Sequence, residues 1–312
     1  VLWVGTGEAT DRNSAGFGSG VYRSTDGGAT FTHAGLPTSR AIARIAVHPA
    51  RPEVAFVAAA GDLWTKGGER GLYRTTDGGK SWTKVLAAAA PDDADTGCVD
   101  VVLSPADPDL VYAALYARRR TPWSFTYGPS LTGGRDAGGI FRSTDGGATW
   151  TKLTNGLPAQ TGRIGLAVTA ADPKVVVAVV QSDAGGTSGI DEVESRAGGV
   201  FRSEDGGESF ARVSRFNPRP FYFSQVRLDP ANALRVYVLG YALSVSDDGG
   251  RTWREDLFGK VHPDVHELVV AGRPLVPRPA PPKEGEPPEP APRPVSPRLL
   301  LGTDGGAYLS AD

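Results

Sequence analysis

An all-β propeller is the fold class this sequence predicts, and three observations predict it. The 312 residues include 41 Gly and 25 Pro, which argues against helices because an interior Gly costs about 1 kcal/mol and an interior Pro about 3. A short turn pattern recurs five times: Ser24-Thr25-Asp26-Gly27-Gly28-Ala29-Thr30-Phe31, then Thr75 to Trp82, Ser143 to Trp150, Ser203 to Phe210 and Ser246 to Trp253. Between copies lies a second unit, two apolar strands joined by a Pro-containing turn, as in Ile45-Ala46-Val47-His48-Pro49 leading to Val54-Ala55-Phe56-Val57. Together they make a four-stranded meander, A to D, repeated at the period expected of propeller blades.

Each element has a local reason. Apolar segments such as Gly20-Val21-Tyr22-Arg23 and Gly139-Ile140-Phe141-Arg142 precede the D-G-G turn and another strand follows it, which is a hairpin with its turn chemistry written out. The glycines supply φ > 0, and the Asp carboxylate accepts hydrogen bonds from its own turn. Asp26, Asp77, Asp145, Asp205 and Asp248 are therefore expected to be structural. Residues 1–33 supply strands B, C and D of a first blade. Whole blades are expected at 41–86, 97–153, 162–213 and 223–257, and 262–312 supplies A, B and most of C of a sixth. Ser310-Ala311-Asp312 looks like the start of another turn copy, and a Pro-rich insertion at 273–297 interrupts the last blade's A-to-B turn.

Composition excludes several functions. Thirty-three basic against 35 acidic residues leave a net charge of -2, which predicts neither a nucleic-acid partner nor a membrane surface. Cys98 is alone, so no internal disulfide and no thiolate metal site is expected. No apolar run approaches the roughly 18 residues of a membrane span. The chain has no Met and no leader pattern, so it reads as a piece of a longer protein whose remainder is its first partner.

The repeated S-x-D-x-G-x-T-[WF] pattern is the Asp box, or BNR repeat, and the whole chain resembles bacterial Asp-box propellers of the sortilin-like, glycosyl-hydrolase-like group. Gly5-Thr6-Gly7-Glu8, Arg118 to Trp123, Gly162-Arg163-Ile164-Gly165 and Asn217 to Tyr222 look like segments of that group. The resemblance implies an extracytoplasmic protein, secreted or periplasmic. It does not by itself fix an activity, because sialidases, xyloglucanase-type hydrolases, sortilin-like receptors and photosystem assembly factors all carry the box.

In a meander, A-to-B and C-to-D turns share one face, and B-to-C and D-to-A loops share the other. The boxes occupy the first face. The long loops, at 6–19, 61–70, 117–138 and 183–198, occupy the second, here called the insertion face. Loop-borne sites are usually presented that way. Arg44, Arg118, Trp123, Arg163, Arg219 and Tyr222 are the expected ligand contacts, since guanidinium forks grip acids and aromatic faces stack on rings. A peptide or protein, or a carbohydrate, fits that surface.

Catalysis would need a pair of carboxyls, for which Glu8, Asp62 and Asp264 are the first candidates, with Asp11, Asp136 and Asp304 on the same face. The F/Y-R-I-P motif that precedes the first sialidase box is replaced by Val1-Leu2-Trp3-Val4. The sequence alone therefore favours a non-catalytic binding propeller, with a sialidase-like or xyloglucanase-like glycoside hydrolase as the alternative. No cofactor is expected. If His262, Asp264 and His266 shared one side of a strand, they could hold a divalent metal; in a loop they would only line the funnel.

Overall fold

The computed structural model describes residues 1–182, 197–256, 259–271 and 298–310. The Pro-rich insertion at 273–297, nearly all of the 183–198 loop and the last two residues of the chain lie outside the described residues. The described chain forms six antiparallel sheets arranged in sequence around a ring, the six-bladed propeller predicted from the repeats. Blade 1 comprises Leu2–Gly5, Val21–Ser24 and Thr32–His33; blade 2 comprises Ile42–Val47, Ala55–Ala59, Gly71–Thr75 and Thr83–Leu86. Blade 3 runs through Thr96–Leu103, Val111–Arg120, Gly139–Ser143 and Thr151–Leu153. Blade 4 holds Ile164–Val168, Val176–Val180, Gly199–Ser203 and Ala211–Ser214. Blade 5 holds Gln225–Asp229, Asn232–Leu239, Leu243–Ser246 and Arg254–Asp256, and blade 6 holds Val265–Ala271, Arg298–Thr303 and Gly306–Leu309.

The B strands are covered on both faces by neighbouring blades, so their sequences are apolar without alternation. Ala55–Ala59 is buried throughout: Phe56 and Ala58 pack with Val101, Val111 and Ala113 of blade 3, whereas Val57 and Ala59 pack with Val21 and Leu36 of blade 1. Blades are thus joined by cores rather than by loops.

The box turns also join blades. Asp145 Oδ1 accepts from Ser143 Oγ at 2.7 Å and from the Ala148 and Thr149 amides at 2.9 Å, and Oδ2 accepts from Thr149 Oγ1 at 2.6 Å. Gly147 has φ of 86°, and a Cβ there would meet Phe56 Cε1 of the preceding blade at 2.7 Å. Its neighbour Gly146 donates its amide to the Asp109 carbonyl of the A-to-B turn, which puts box and A-to-B turn on one face. A contact not anticipated from sequence is the arginine that ends the C strand. Arg142 Nη1 donates to the Gly206 carbonyl of the next box at 2.9 Å, and Arg202 Nη1 donates to the Ala233 carbonyl of the next blade at 2.8 Å.

These hydrogen bonds hold the five box aspartates well below the usual carboxylate range, the side-chain hydroxyl of Thr or Ser four residues on being the largest cause in each. A carboxyl more acidic in the folded state contributes stability that is fully present above the unfolded-state pKa, about 3.9, and is lost as pH falls through and below it. Thermal unfolding followed from pH 6 to pH 2 should show a Tm that falls below about pH 4, and the contributions of the five separate turns should add to steepen the fall. A Tm insensitive to pH in that range would contradict the account.

Candidate active site

The insertion face is organised by the first long loop, which leaves blade 1 after Gly5 and crosses toward blades 3, 4 and 5. Glu8 and Gly16 close its base, Glu8 N donating to the Gly16 carbonyl and Gly16 N to Glu8 Oε2. At the loop's crown the Ala9 carbonyl accepts from Arg118 Nη1 at 2.9 Å and Arg163 Nη1 at 2.7 Å. Asp11, fully buried, accepts from Arg118 at 2.5 Å and Tyr116 at 3.0 Å, with Arg163 Nη1 at 3.9 Å. Arg120 Nε donates to the Asp11 carbonyl. The loop is latched to the ring by charge.

This corrects the expectation for Arg118 and Arg163. Arg118 is wholly buried and turned toward Asp11 and the carbonyls of Ala9 and Gly61; Arg163 is 4% exposed and binds the carbonyls of Ala9 and Phe223. Burial lowers the Arg163 pKa and Asp11 opposes that shift. Their role is to hold the loop. Arg44 lies in the axial channel, a cavity of about 310 Å³, paired with Asp100 at 2.8 Å. The signal that marked these arginines, a guanidinium on the insertion face, does not distinguish a ligand clamp from a carbonyl tie.

Arg12, exposed at the end of the latched loop, donates to the Tyr222 hydroxyl of blade 5 at 3.3 Å. Glu8 and Asp304 both lie close enough to raise the pKa of the Arg12 guanidinium, whose largest single cause is the Tyr222 hydrogen bond. The same two carboxylates raise the Tyr222 phenol, for which burial is the main cause. Asp304 stands on the short B-to-C turn of blade 6, where its Oδ1 meets His266 Nε2 at 2.8 Å. The His266 ring packs against Tyr222 and Phe223 with centroids 5.5 and 5.7 Å away. Arg12, Tyr222, His266 and Asp304 are therefore linked by successive contacts across blades 1, 5 and 6, and Glu8 lies on the same loop as Arg12.

An aromatic track leads from it toward blade 3. Tyr222 neighbours Phe221, Phe221 neighbours Phe125 at 6.1 Å and Phe125 neighbours Tyr127 at 5.4 Å. Arg219 stands over Phe221 and Tyr222, and Arg120 over Phe125. Phe125–Tyr127 pairs with the end of Val111–Arg120 to form a hairpin beyond the blade, and Trp123 at its tip is 93% exposed. Arg219 and Trp123 are thus on the expected face, whereas Tyr222, 2% exposed, is covered there and meets Arg12 through its hydroxyl instead of offering a ring to a ligand.

Of the other acids, Asp62 caps its own turn, accepting from the Trp64 amide at 2.7 Å, and Asp136 pairs with Lys152. Asp264 has φ of 62° and ends the loop rather than continuing a strand, which begins at Val265. That break separates the three residues that a continuous strand would have offered to a metal. His262 contacts the carbonyl of Pro263 and lies against Gly305, His266 is taken by Asp304, and among the described residues no group of three or more His, Cys, Asp or Glu could hold a metal ion. Among the same residues no helix is long and apolar enough to cross a membrane.

Comparison with known proteins bears on the chemistry. Residues 19–155 match the family model for Sortilin-Vps10, sortilin or neurotensin receptor 3. A probable oligoxyloglucan-reducing end-specific xyloglucanase of Neosartorya fischeri is 30% identical over 145 residues, covering 44% of this chain and 15% of that protein. A xyloglucanase of a Paenibacillus species is 28% identical over 223 residues, 70% of this chain and 17% of that protein. In solved structures, an ancestral GH74 enzyme matches with a TM-score of 0.58 at 17% identity, over 93% of this chain and 33% of that one. A Niastella koreensis GH74 enzyme matches at 0.54 and 18%, over 99% and 41%. The chain thus spans under half the length of each of these proteins, and the structural likenesses speak for the fold. The sequence relatives overturn the expectation of a non-catalytic propeller, since both are named as xyloglucanases and point toward a glycoside hydrolase family. Blade architecture, family match and relatives agree that the chain is a six-bladed β-propeller similar to the sortilin-like and glycosyl-hydrolase-like group.

Proposed function

We propose that the insertion face is the carbohydrate-processing cleft of a glycoside hydrolase acting on a xyloglucan-type β-glucan. The observation that carries this reading is the aromatic track that runs from Phe125 through Phe221 to the Arg12–Tyr222 pair, with Asp304 joined to its end through His266 and Glu8 on the same loop as Arg12. Glycosidic bond hydrolysis needs one carboxyl to protonate the leaving oxygen and a second to act as base or nucleophile at the anomeric carbon. Glu8 and Asp304 divide these roles, with His266 orienting the Asp304 carboxylate. Phe125, Phe221 and exposed Trp123 supply apolar faces on which sugar rings stack, and Arg219 and Arg12 supply donors to sugar hydroxyls. A polymeric glucan as substrate would be met outside the cytoplasm, in keeping with what the family resemblance implies.

The test is to incubate the chain with xyloglucan, mixed-linkage glucan, cellulose and xylan, following reducing-end release and, in parallel, affinity electrophoresis on the same polymers. Reducing ends should appear with xyloglucan, and Trp123→Ala should raise KM or weaken retardation by about tenfold or more, the effect of losing an exposed stacking anchor worth somewhat over 1 kcal/mol. Neither hydrolysis nor retardation on any glucan would sink the proposal.

A further inference from the structure

A second cavity, distinct from the proposed cleft, lies where blades 3 and 4 meet on the insertion side. Its volume is about 180 Å³, and its walls include Ile140, Leu153, Leu157, Ile164 and Val180, with Thr161 among them. Thr161 is 8% exposed and its hydroxyl has no hydrogen-bond partner. Lys152 forms one side: a Cβ on Gly139, which has φ of 118°, would sit 2.8 Å from Lys152 Cε, so the lysine stem lies on that glycine. Its ammonium is already neutralised by Asp136 at 2.5 Å.

Both the shape and the polarity of this hole select an occupant. A cavity of about 150 Å³ lined by aliphatic side chains stays dry and holds a benzene-sized molecule, whereas a water needs two to four polar partners. Here Asp136, Lys152 and Thr154 also line the cavity, the first two paired with each other, and among the aliphatic side chains Thr161 carries the hydroxyl that has no partner. A buried hydroxyl left unpaired is unfavourable, and satisfying it is worth up to about tenfold in affinity. The compensated lysine gives no net charge to attract an acid.

We propose that the blade 3–blade 4 cavity is a binding site for a neutral single-ring phenol, its ring among Ile140, Leu153, Leu157, Ile164 and Val180 and its hydroxyl on Thr161. The site uses none of the residues of the proposed cleft, so it stands or falls without that reading. Phenol and toluene titrated into the ¹⁵N-labelled chain are the probes. Phenol should move amide signals of residues 139–140, 153–164 and 180 saturably. Thr161→Val should weaken phenol about tenfold and leave toluene binding unchanged, and Leu157→Trp, which fills the space, should abolish both. Absence of saturable shifts at millimolar phenol in the parent chain, shifts centred on other residues, or equal phenol affinity in Thr161→Val would each overturn the proposal, and none depends on a variant that fails to fold.

Discussion

Asp11→Ala should destabilise the propeller by about 3–5 kcal/mol, the cost of removing one partner from a buried charge pair. Its carboxylate is fully buried and binds Arg118, itself fully buried, together with the Tyr116 hydroxyl, with Arg163 nearby. Removing the carboxylate leaves two guanidiniums out of water with only carbonyl dipoles as partners, while breaking the tie between blade 1 and blades 3 and 4. Loss of the latch would also free Glu8 and Arg12, so glycan retardation should fall with stability. Replacing the pair together, as Asp11→Leu with Arg118→Met, should recover much of the stability, because an apolar pair of similar volume removes the unpaired charge. Without the Asp11 and Arg118 ties, the double variant should not recover function. Urea unfolding checks the first statement. A midpoint for Asp11→Ala corresponding to less than about 1 kcal/mol of change would mean that the loop is held by its carbonyl contacts alone, since a typical hydrogen bond is worth about that much.

What the sequence made legible is what local chemistry determines. The box turn can be read because Asp145, Gly146, Gly147 and Thr149 act within seven residues, and the doubly buried B strands can be read because Val176–Val180 has no polar residue to offer solvent. The face assignment follows from counting strands. The latch was not legible, because Asp11 meets Tyr116 and Arg118 more than a hundred residues away and nothing near either end announces the other. Asp11 and Arg118 were placed on the correct face, yet an arginine facing a ligand and one facing a buried acid carry the same letter. Asp264 decides an alternative that the sequence left open: the H-P-D-V-H string could be strand or loop, and φ of 62° at Asp264 puts His262 and Asp264 in the loop, the strand beginning one residue later. Asp304 was undervalued because its importance comes from His266 and from the loop of blade 1 reaching across the ring.

Glu8→Gln and Asp304→Asn should each lower kcat for xyloglucan by about 10²–10⁴-fold with little change in KM, the range expected when a positioned proton-transfer group is lost. Both substitutions keep the shape and remove the charge or the transferable proton. Neither residue is deeply buried: Glu8 is half-buried and Asp304 exposed, so the fold should survive. The two variants should differ in detail. Gln at position 8 can accept from the Gly16 amide through its one oxygen and donate to the Thr10 hydroxyl through its nitrogen, which keeps the base of the loop closed, whereas Asn at 304 weakens the pair with His266. Asp107→Asn on the Asp-box face, where the side chain only caps the Asp109 amide, serves as the control and should retain parental kcat. Small nucleophiles separate the roles: azide should partly restore turnover in whichever variant has lost the nucleophile, while leaving the other slow on a substrate with a poor leaving group. If both variants keep parental kcat while the parent hydrolyses xyloglucan, the carboxylate pair lies elsewhere on the insertion face, and Asp264 with its buried unpartnered Oδ1 becomes the acid to replace.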